Sequence, residues 1–348
     1  MATSATGDTP RILISRMSAV GDSILTLPVA CALRKKYPNA YLGWVIEERS
    51  SPVVLGHQDL DAVVVLRRGW FTSPKGILAA RRKLLPHRFE FSVDCQSVTK
   101  SSLACWLSGA GTRIGCRGKY GCELSPLINN RLIEPQTTHL TDRSLELLEP
   151  FEIQRPAISW KYPIEQDAMD QADTILTALR LDRGFAVINA GANWDSRLWE
   201  MGRFGEVARL LGEQSGLPSL IVWGNQREQN WASEIVSTSA GQSFLCPATS
   251  LAELAAVIKR AKIFVSADTG PLHLAVAVGT PSVALHGVTR PQDSGPYGAP
   301  HRPIIVRYDA GSRKQRRKSD NSAMLLITPE MVLNECHLLL GQMGKDAA

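Results

Sequence analysis

Four short segments of this 348-residue chain carry residue types and spacings that could do chemistry. The first is Ser18-Ala19-Val20-Gly21-Asp22, directly after the apolar run Arg11–Ser15 (RILIS). If that run is a strand of a parallel sheet, the segment lies at its carboxyl end, where open α/β sheets bind ligands. Asp22 there is either an N-cap, stabilising a helix by about 1 kcal/mol, or a carboxylate left free to take a proton. Position alone favours the cap. The second segment is Ser266–His273 (SADTGPLH), again between a strand and a helix start. Gly270 permits close backbone approach, and Pro271 lacks only a donor that a first helical turn cannot use. The amides of Thr269, Gly270 and Leu272 could therefore face an anion at the positive helix end, with His273 adding a hydrogen bond. The plainer alternative is a well-made helix start, with Asp268 as the cap and His273 as a packing residue. The third, Gly191–Trp199 (GANWDSRLW), supplies Arg197, whose planar fork suits a phosphate or pyrophosphate. The fourth, Trp223-Gly224 followed by Glu228, could offer a carboxylate to ribose hydroxyls, although solvated surface is the default for a single glutamate.

Charge adds a further feature. The chain has 39 Lys+Arg against 33 Asp+Glu, a formal net charge of +6. Seven of the basic residues (67, 68, 75, 81, 82, 83, 88) fall between Arg67 and Arg88 without an acid among them, and Trp70 and Phe71 are embedded there; Arg113, Arg117 and Lys119 follow. Such a patch suits nucleic acid, an anionic membrane surface or a phosphorylated substrate. The run Arg313–Lys318 (RKQRRK) reads as an exposed loop. Neither GxGxxG nor GxxxxGK[ST] occurs at the strand ends, which removes the usual dinucleotide and P-loop sites. The seven histidines are scattered, without HxxxH or DxD spacing, so no metal site is expected. Seven cysteines, odd in number and lacking CxxC, read as reduced thiols of a cytosolic protein. Residues 1–10 show no signal-peptide pattern, and no run suits a bilayer span. The hydrophobic fraction of 44% excludes disorder, collagen and disulfide-knot classes.

The elements that must hold these segments alternate strand and helix. Strands are expected at 11–15, 41–46, 61–66 and 91–94, and helices at 22–37, 74–85 and 99–107. After a proline-bearing stretch from about 150 to 167, the rhythm resumes. Strands are then expected at 185–190, 218–223, 263–265 and 281–285. Helices are expected at 204–214, from a Ser250/Glu253 capping box to Arg260, at 271–278, and at 329–340. Length alone allows two domains at roughly 100–200 residues each. The expected fold is α/β, with two open parallel-sheet domains facing a cleft and boundaries at 1–160, 161–328 and 329–348.

Taken together, three stretches of this chain resemble the ADP-heptose:lipopolysaccharide heptosyltransferases of glycosyltransferase family 9: ILISRMSAVGDSILTLP, VDCQSVTKSS and VSADTGPLHLAVAVGTPSVALHG followed by Thr289. The likeness runs through nearly the whole chain. It implies a GT-B fold of two Rossmann-like domains, with the C-terminal helix crossing back toward the first. At matching positions it implies Asp22 as catalytic base, and Arg197, Glu228, Asp268, Thr269, Gly270, Leu272 and His273 as donor-binding residues. Ser18, Gly21, Arg67, Arg68, Trp70, Gln96, Lys100 and Arg113 are the implied acceptor side, most like the subgroup that adds the first heptose. The chain departs from the family pattern at Ser97 (usually Gly), Arg197 (commonly Lys) and Arg290 (commonly Asp). The implied activity is inverting transfer of heptose from ADP-heptose to a Kdo sugar on a lipid A precursor. It would use no metal or cofactor, in a monomer lying peripherally on the cytoplasmic face of the inner membrane. Other inverting GT-B transferases, a non-catalytic nucleotide or glycan binder, and, third, a nucleic-acid binder are the competing readings; 6% aromatic content and the lack of a known motif speak against the last.

Overall fold

The computed structural model describes residues 9–192 and 194–346; the leading tail and Asn193, both part of the sequence reading, lie outside the described residues. The chain divides into two compact units, Met1–Pro163 and Ile164–Ala348.

The first unit begins with β1 (Arg11–Ser15), α1 (Val20–Lys36), β2 (Tyr41–Glu47) and β3 (Ala62–Leu66). α2 (Pro74–Leu84), β4 (Phe91–Asp94), α3 (Thr99–Leu107), β5 (Thr112–Cys116), α4 (Ser125–Ile128), β6 (Arg131–Ile133) and α5 (Leu140–Glu146) follow. Its six strands are all parallel in the order β3-β2-β1-β4-β5-β6. β1 is central and buried on both faces, which is why Ile12, Leu13 and Ile14 read as a continuous apolar run. α2 and α3 cover one face through Ala80, Leu84, Ala104 and Leu107, packed with Leu13, Val45 and Val64. The proline-bearing stretch is pinned to this unit: Trp160 O accepts from His57 Nε2 at 3.1 Å and Lys161 Nζ meets Asp59 Oδ1 at 3.0 Å.

The second unit runs α6 (Gln166–Ala178), β7 (Ala186–Asn189), α7 (Met201–Ser215), β8 (Ser219–Val222), α8 (Gln226–Thr238), β9 (Ser243–Leu245), α9 (Leu251–Arg260) and β10 (Ile263–Ala267). Then come α10 (Gly270–Ala277), β11 (Ser282–His286), α11 (Pro291–Ser294), β12 (Arg302–Ile305), α12 (Arg313–Lys318), α13 (Ser322–Leu325) and α14 (Pro329–Asp346). Its parallel order, β12-β11-β10-β7-β8-β9, repeats the doubly wound plan. Both units are Rossmann-like, the two halves of a GT-B fold. α14 belongs to the second unit by its packing: Val332, Leu333, Cys336 and Leu339 sit in that core with Trp199 and Phe204.

Two expectations are corrected. RKQRRK is not a loop but α12, opened by a reciprocal Ser312/Gln315 capping box, with Arg316 Nη1 on Val288 O at 3.0 Å. The outer strands β5, β6, β9 and β12 were not expected. They lie toward the sheet margins, where half-exposure dilutes the apolar pattern.

Candidate active site

In the first unit, the carboxyl ends of β1, β2 and β4 gather a polar cluster. α1 starts at Val20 with Ala19 as a cap that makes no side-chain bond, so Asp22 lies inside the first turn and is not the N-cap that position alone favoured. Its Oδ2 instead accepts from Arg16 Nη2 at 2.5 Å. The Arg16 side chain is 7% exposed and that of Asp22 38%, so a buried cation holds a reachable carboxylate. Arg16 is itself fixed by donating from Nη1 to Cys95 O at 2.8 Å. Beside them Lys100, at the start of α3, donates to Ser18 Oγ at 2.9 Å and pairs with Glu47 at 2.9 Å. Gln96 Oε1 accepts from Met17 N at 2.9 Å and ties the β1 and β4 loops together. Gly21 is buried in the first turn of α1.

Asp94 ends β4 fully buried. Its carboxylate accepts from Ser97 N at 2.8 Å, Gln96 N at 3.2 Å and Asn129 Nδ2 at 3.1 Å. Burial, the dominant influence, raises its pKa against these bonds. Ser97 sits at φ +50°, the left-handed region that explains why glycine is usual there. This chain compensates with bonds from Ser97 Oγ to Asp94 O (2.9 Å) and from Cys116 N to Ser97 Oγ (2.9 Å).

Arg67, Arg68 and Trp70 lie two strands away, after β3, lining a cavity of about 490 Å³ with Gly69, Ser73 and Lys83. Both arginines are exposed, whereas the Trp70 ring is part of the core. Arg113 is not brought to this end of the sheet. It pairs with Ser92 near the amino end of β4, and its guanidinium braces Ala110 O and Ile128 O at 3.0 Å each.

In the second unit, the ends of β7, β10 and β11 gather a second polar cluster. Asp268 does not cap α10; Thr269 occupies the cap position and makes no side-chain cap bond. The Asp268 carboxylate, 4% exposed, lies 3.4 Å from Arg197 Nη1 and 3.7 Å from His273 Nε2, and its carbonyl accepts from Arg197 at 2.9 Å. Arg197 also stacks over Trp194, 3.9 Å from the ring centroid. Burial pushes the Asp268 carboxyl up, but Arg197, His286, His273 and the Thr289 hydroxyl outweigh it and hold the group below the usual carboxylate range. His286, fully buried, is pushed down to about 4 by desolvation and stays neutral at pH 7. His286 Nδ1 and the Thr289 hydroxyl lie within hydrogen-bond distance at 3.2 Å. Asn189, ending β7, donates to Ser266 Oγ at 3.0 Å and Thr269 Oγ1 at 3.3 Å and so sets the loop before α10.

The amides of Gly270 and Leu272 lie in the first turn of α10, where no intrahelical acceptor exists. Glu228, in the first turn of α8, accepts from Gly224 N at 2.8 Å and folds over Gly191, where a Cβ would come within 2.6 Å of its carboxyl carbon. The arrangement sets Arg197, the first-turn amides of α10 and the Glu228 carboxylate at the carboxyl ends of the neighbouring strands β10, β7 and β8, where strand-end loops of such sheets hold ligands.

Arg16, Glu47, Asp94, Asn189 and His286 were not singled out from sequence. All five sit at or just past a strand's last residue, the signal that could have found them. Among the described residues no cluster of three metal-ligating side chains occurs, and six of seven cysteines are buried, Cys122 being exposed.

The profile of glycosyltransferase family 9 (heptosyltransferase) matches residues 77–324, a span that includes Arg197 and the α10 site but not Asp22. Lipopolysaccharide heptosyltransferase 1 of Escherichia coli K12 is 28% identical over 301 residues, covering 83% of this chain and 91% of that one. Among solved structures, a family 9 glycosyl transferase from Veillonella parvula superposes with a TM-score of 0.85 at 21% identity, covering 98% of this chain and all of the other. The E. coli heptosyltransferase WaaC with ADP gives 0.76 at 24%, covering 94% and 99%. With more than two thirds of its length inside the family profile, the chain belongs to glycosyltransferase family 9, the heptosyltransferases, and is a glycosyltransferase.

Proposed function

We propose that this glycosyltransferase moves a heptose from ADP-L-glycero-D-manno-heptose to an inner-core Kdo of a lipid A precursor, in lipopolysaccharide core biosynthesis. The observation that carries the reading is a division of chemistry between the units. One unit holds a reachable carboxylate on a buried arginine. The other sets Arg197 beside the first turn of α10, donors suited to phosphate. The relative named lipopolysaccharide heptosyltransferase 1 and the solved heptosyltransferase with ADP support the donor and acceptor classes.

Asp22 takes the proton from the acceptor hydroxyl as its oxygen attacks the anomeric carbon, inverting configuration. Arg16 keeps the carboxylate oriented through the attack. Negative charge growing on the departing ADP is met by Arg197 and the amides of Gly270 and Leu272, fixed donors that need no reorganisation. Glu228 accepts from the ribose. In this reading no divalent ion takes part and the enzyme acts as a monomer at the inner membrane, on its cytoplasmic side, without nucleic acid. Lys100, Ser18 and Gln96 line the acceptor side, with Arg67, Arg68 and Trp70 further along the same sheet edge.

A mass-resolved transfer assay with ADP-heptose and a Kdo-bearing acceptor tests the reading, run beside UDP- and GDP-sugars and with added EDTA. Asp22→Asn is expected to lose about 10²–10⁴-fold in kcat with donor Kd unchanged. A folded variant with near-full turnover would remove the base assignment, and an EDTA-sensitive rate would remove the metal-free one.

A further inference from the structure

The first unit concentrates its exposed apolar side chains on one layer. Of the seven exposed large hydrophobics among its described residues, only Leu55 lies elsewhere. Leu78 (47% exposed) is on α2 and Leu85 (41%) caps it, Trp106 (53%) is on α3, Leu127 (82%) is on α4, and Leu124 (54%) caps α4. Phe71 (37%) is in the turn packed against α2. α2 buries Ala80 and Leu84 and so turns the opposite stripe outward, with Lys75, Leu78, Arg82 and Leu85 at i, i+3, i+7 and i+10. Leu85 reaches across to α3, since its Cδ1 would stand 3.1 Å from a Cβ on Gly109, three residues beyond Trp106. The layer is basic as well. Lys75, Arg81, Arg82, Lys83 and Arg88 carry it, and no acid occurs from Ala62 to Phe89. Two acids border the layer: Glu123 accepts from Thr99 N at the start of α3 at 2.9 Å, and Glu90 from Arg11 N at 3.3 Å, against the five cations named.

We propose that this α2–α3–α4 layer is a docking surface for an anionic lipid bilayer, with Leu78, Leu85, Trp106, Leu124 and Leu127 entering the interface and Lys75, Arg81 and Arg82 meeting headgroup phosphates. Single apolar side chains set among cations, rather than one continuous groove, match an interfacial helix surface. Each Lys or Arg brought to an anionic leaflet adds electrostatic attraction, which salt screens. α3 links the surface to the acceptor side: Lys100 and Trp106 are six residues apart on it, about 9 Å of helical rise. A lipid-borne sugar therefore has a short path from the leaflet to Ser18 and Lys100. The choice of a bilayer over another polyanion rests on the proposed lipid A-borne acceptor.

The test is flotation of the full chain with phosphatidylethanolamine vesicles containing phosphatidylglycerol, against neutral phosphatidylcholine vesicles and against random duplex DNA. The wild type is expected on the anionic vesicles and to be released by salt. L85S/W106S and K75E/R82E are each expected to lower that partition about tenfold or more, with thermal unfolding unchanged. Transfer to a short water-soluble Kdo acceptor should be unaltered in both variants, and transfer to vesicle-borne lipid A acceptor should fall. Vesicle binding that is absent, or equal in all three proteins, overturns the proposal. So does DNA binding that the variants abolish without any vesicle binding. Vesicle docking in a protein that transfers heptose to no acceptor would uphold the surface while removing the catalytic reading.

Discussion

Asp22 and Ser97 show how far a single residue can be read from its type. A carboxylate near a helix start is most often a cap, and here it is not, because the buried Arg16 guanidinium draws it inward. Arg16→Met should destabilise by about 1–3 kcal/mol, since Cys95 O loses a charged donor in a buried site. It should also lower kcat in transfer with little change in donor Kd, because Asp22 loses its orienting partner. Urea unfolding and steady-state kinetics check both, and an unaltered kcat would make Arg16 purely structural. At Ser97 the left-handed backbone and the Oγ bonds pull in opposite directions. Ser97→Gly relieves about 1 kcal/mol of strain while leaving Cys116 N–H unpaired, so near-neutral stability is expected. Ser97→Ala keeps the strain and loses the bonds, and should cost about 2 kcal/mol. A thermal-shift series ranking Ala above Gly in stability would contradict this account.

At the scale of elements, local chemistry was legible wherever the signal was self-contained. The Ser250/Glu253 capping box opens α9 as expected, with Ser250 N on Glu253 Oε2 at 2.6 Å and Glu253 N on Ser250 Oγ at 3.2 Å. Ser250→Ala should lower stability by about 1 kcal/mol and leave turnover unchanged, since the box bonds Ser250 to Glu253 and to no site residue. Calorimetry together with a transfer assay would decide it. Central strands were legible for the same reason, because burial on both faces leaves an unbroken apolar run such as Ile12–Ile14. Outer strands such as β12 were not, because its half-buried side holds Arg302 and its exposed side Ile305, so residue type does not follow the alternation in burial. The basic run Arg313–Lys318 misled for a related reason: charge density says exposed, while Ser312 and Gln315 decide the backbone.

For the whole molecule, buried histidines govern the response to acid. Desolvation pushes His286 and His301 from 6.5 down to about 4, and His57 and His87 shift the same way. The unfolded chain protonates these rings below about pH 6.5 while the fold keeps them neutral. Stability is therefore greatest above 6.5 and falls as pH drops toward 4, by up to roughly 1.4 kcal/mol per unit for each of His286 and His301. Asp94, raised by burial, works in the opposite sense, favouring the fold at low pH and losing that contribution as pH rises. Urea midpoints at pH 7.5 and pH 5 measure the balance, and equal values would contradict it.

By itself the sequence determined the alternation of strand and helix, the break near 150–167 and the strand-end position of the Asp22, Arg197 and Asp268 segments. These follow from periodicity, proline and glycine, which act over a few residues. Only the tertiary structure decided that Asp22 faces Arg16, that Asp268 joins Arg197, His286 and Thr289 rather than capping α10, and that Arg113 braces the far end of its sheet. Each of these depends on the burial of charge beside a residue tens of positions away or round a helical turn. Desolvation, which sets those pairings, is a property of three-dimensional packing and leaves no local pattern in the chain.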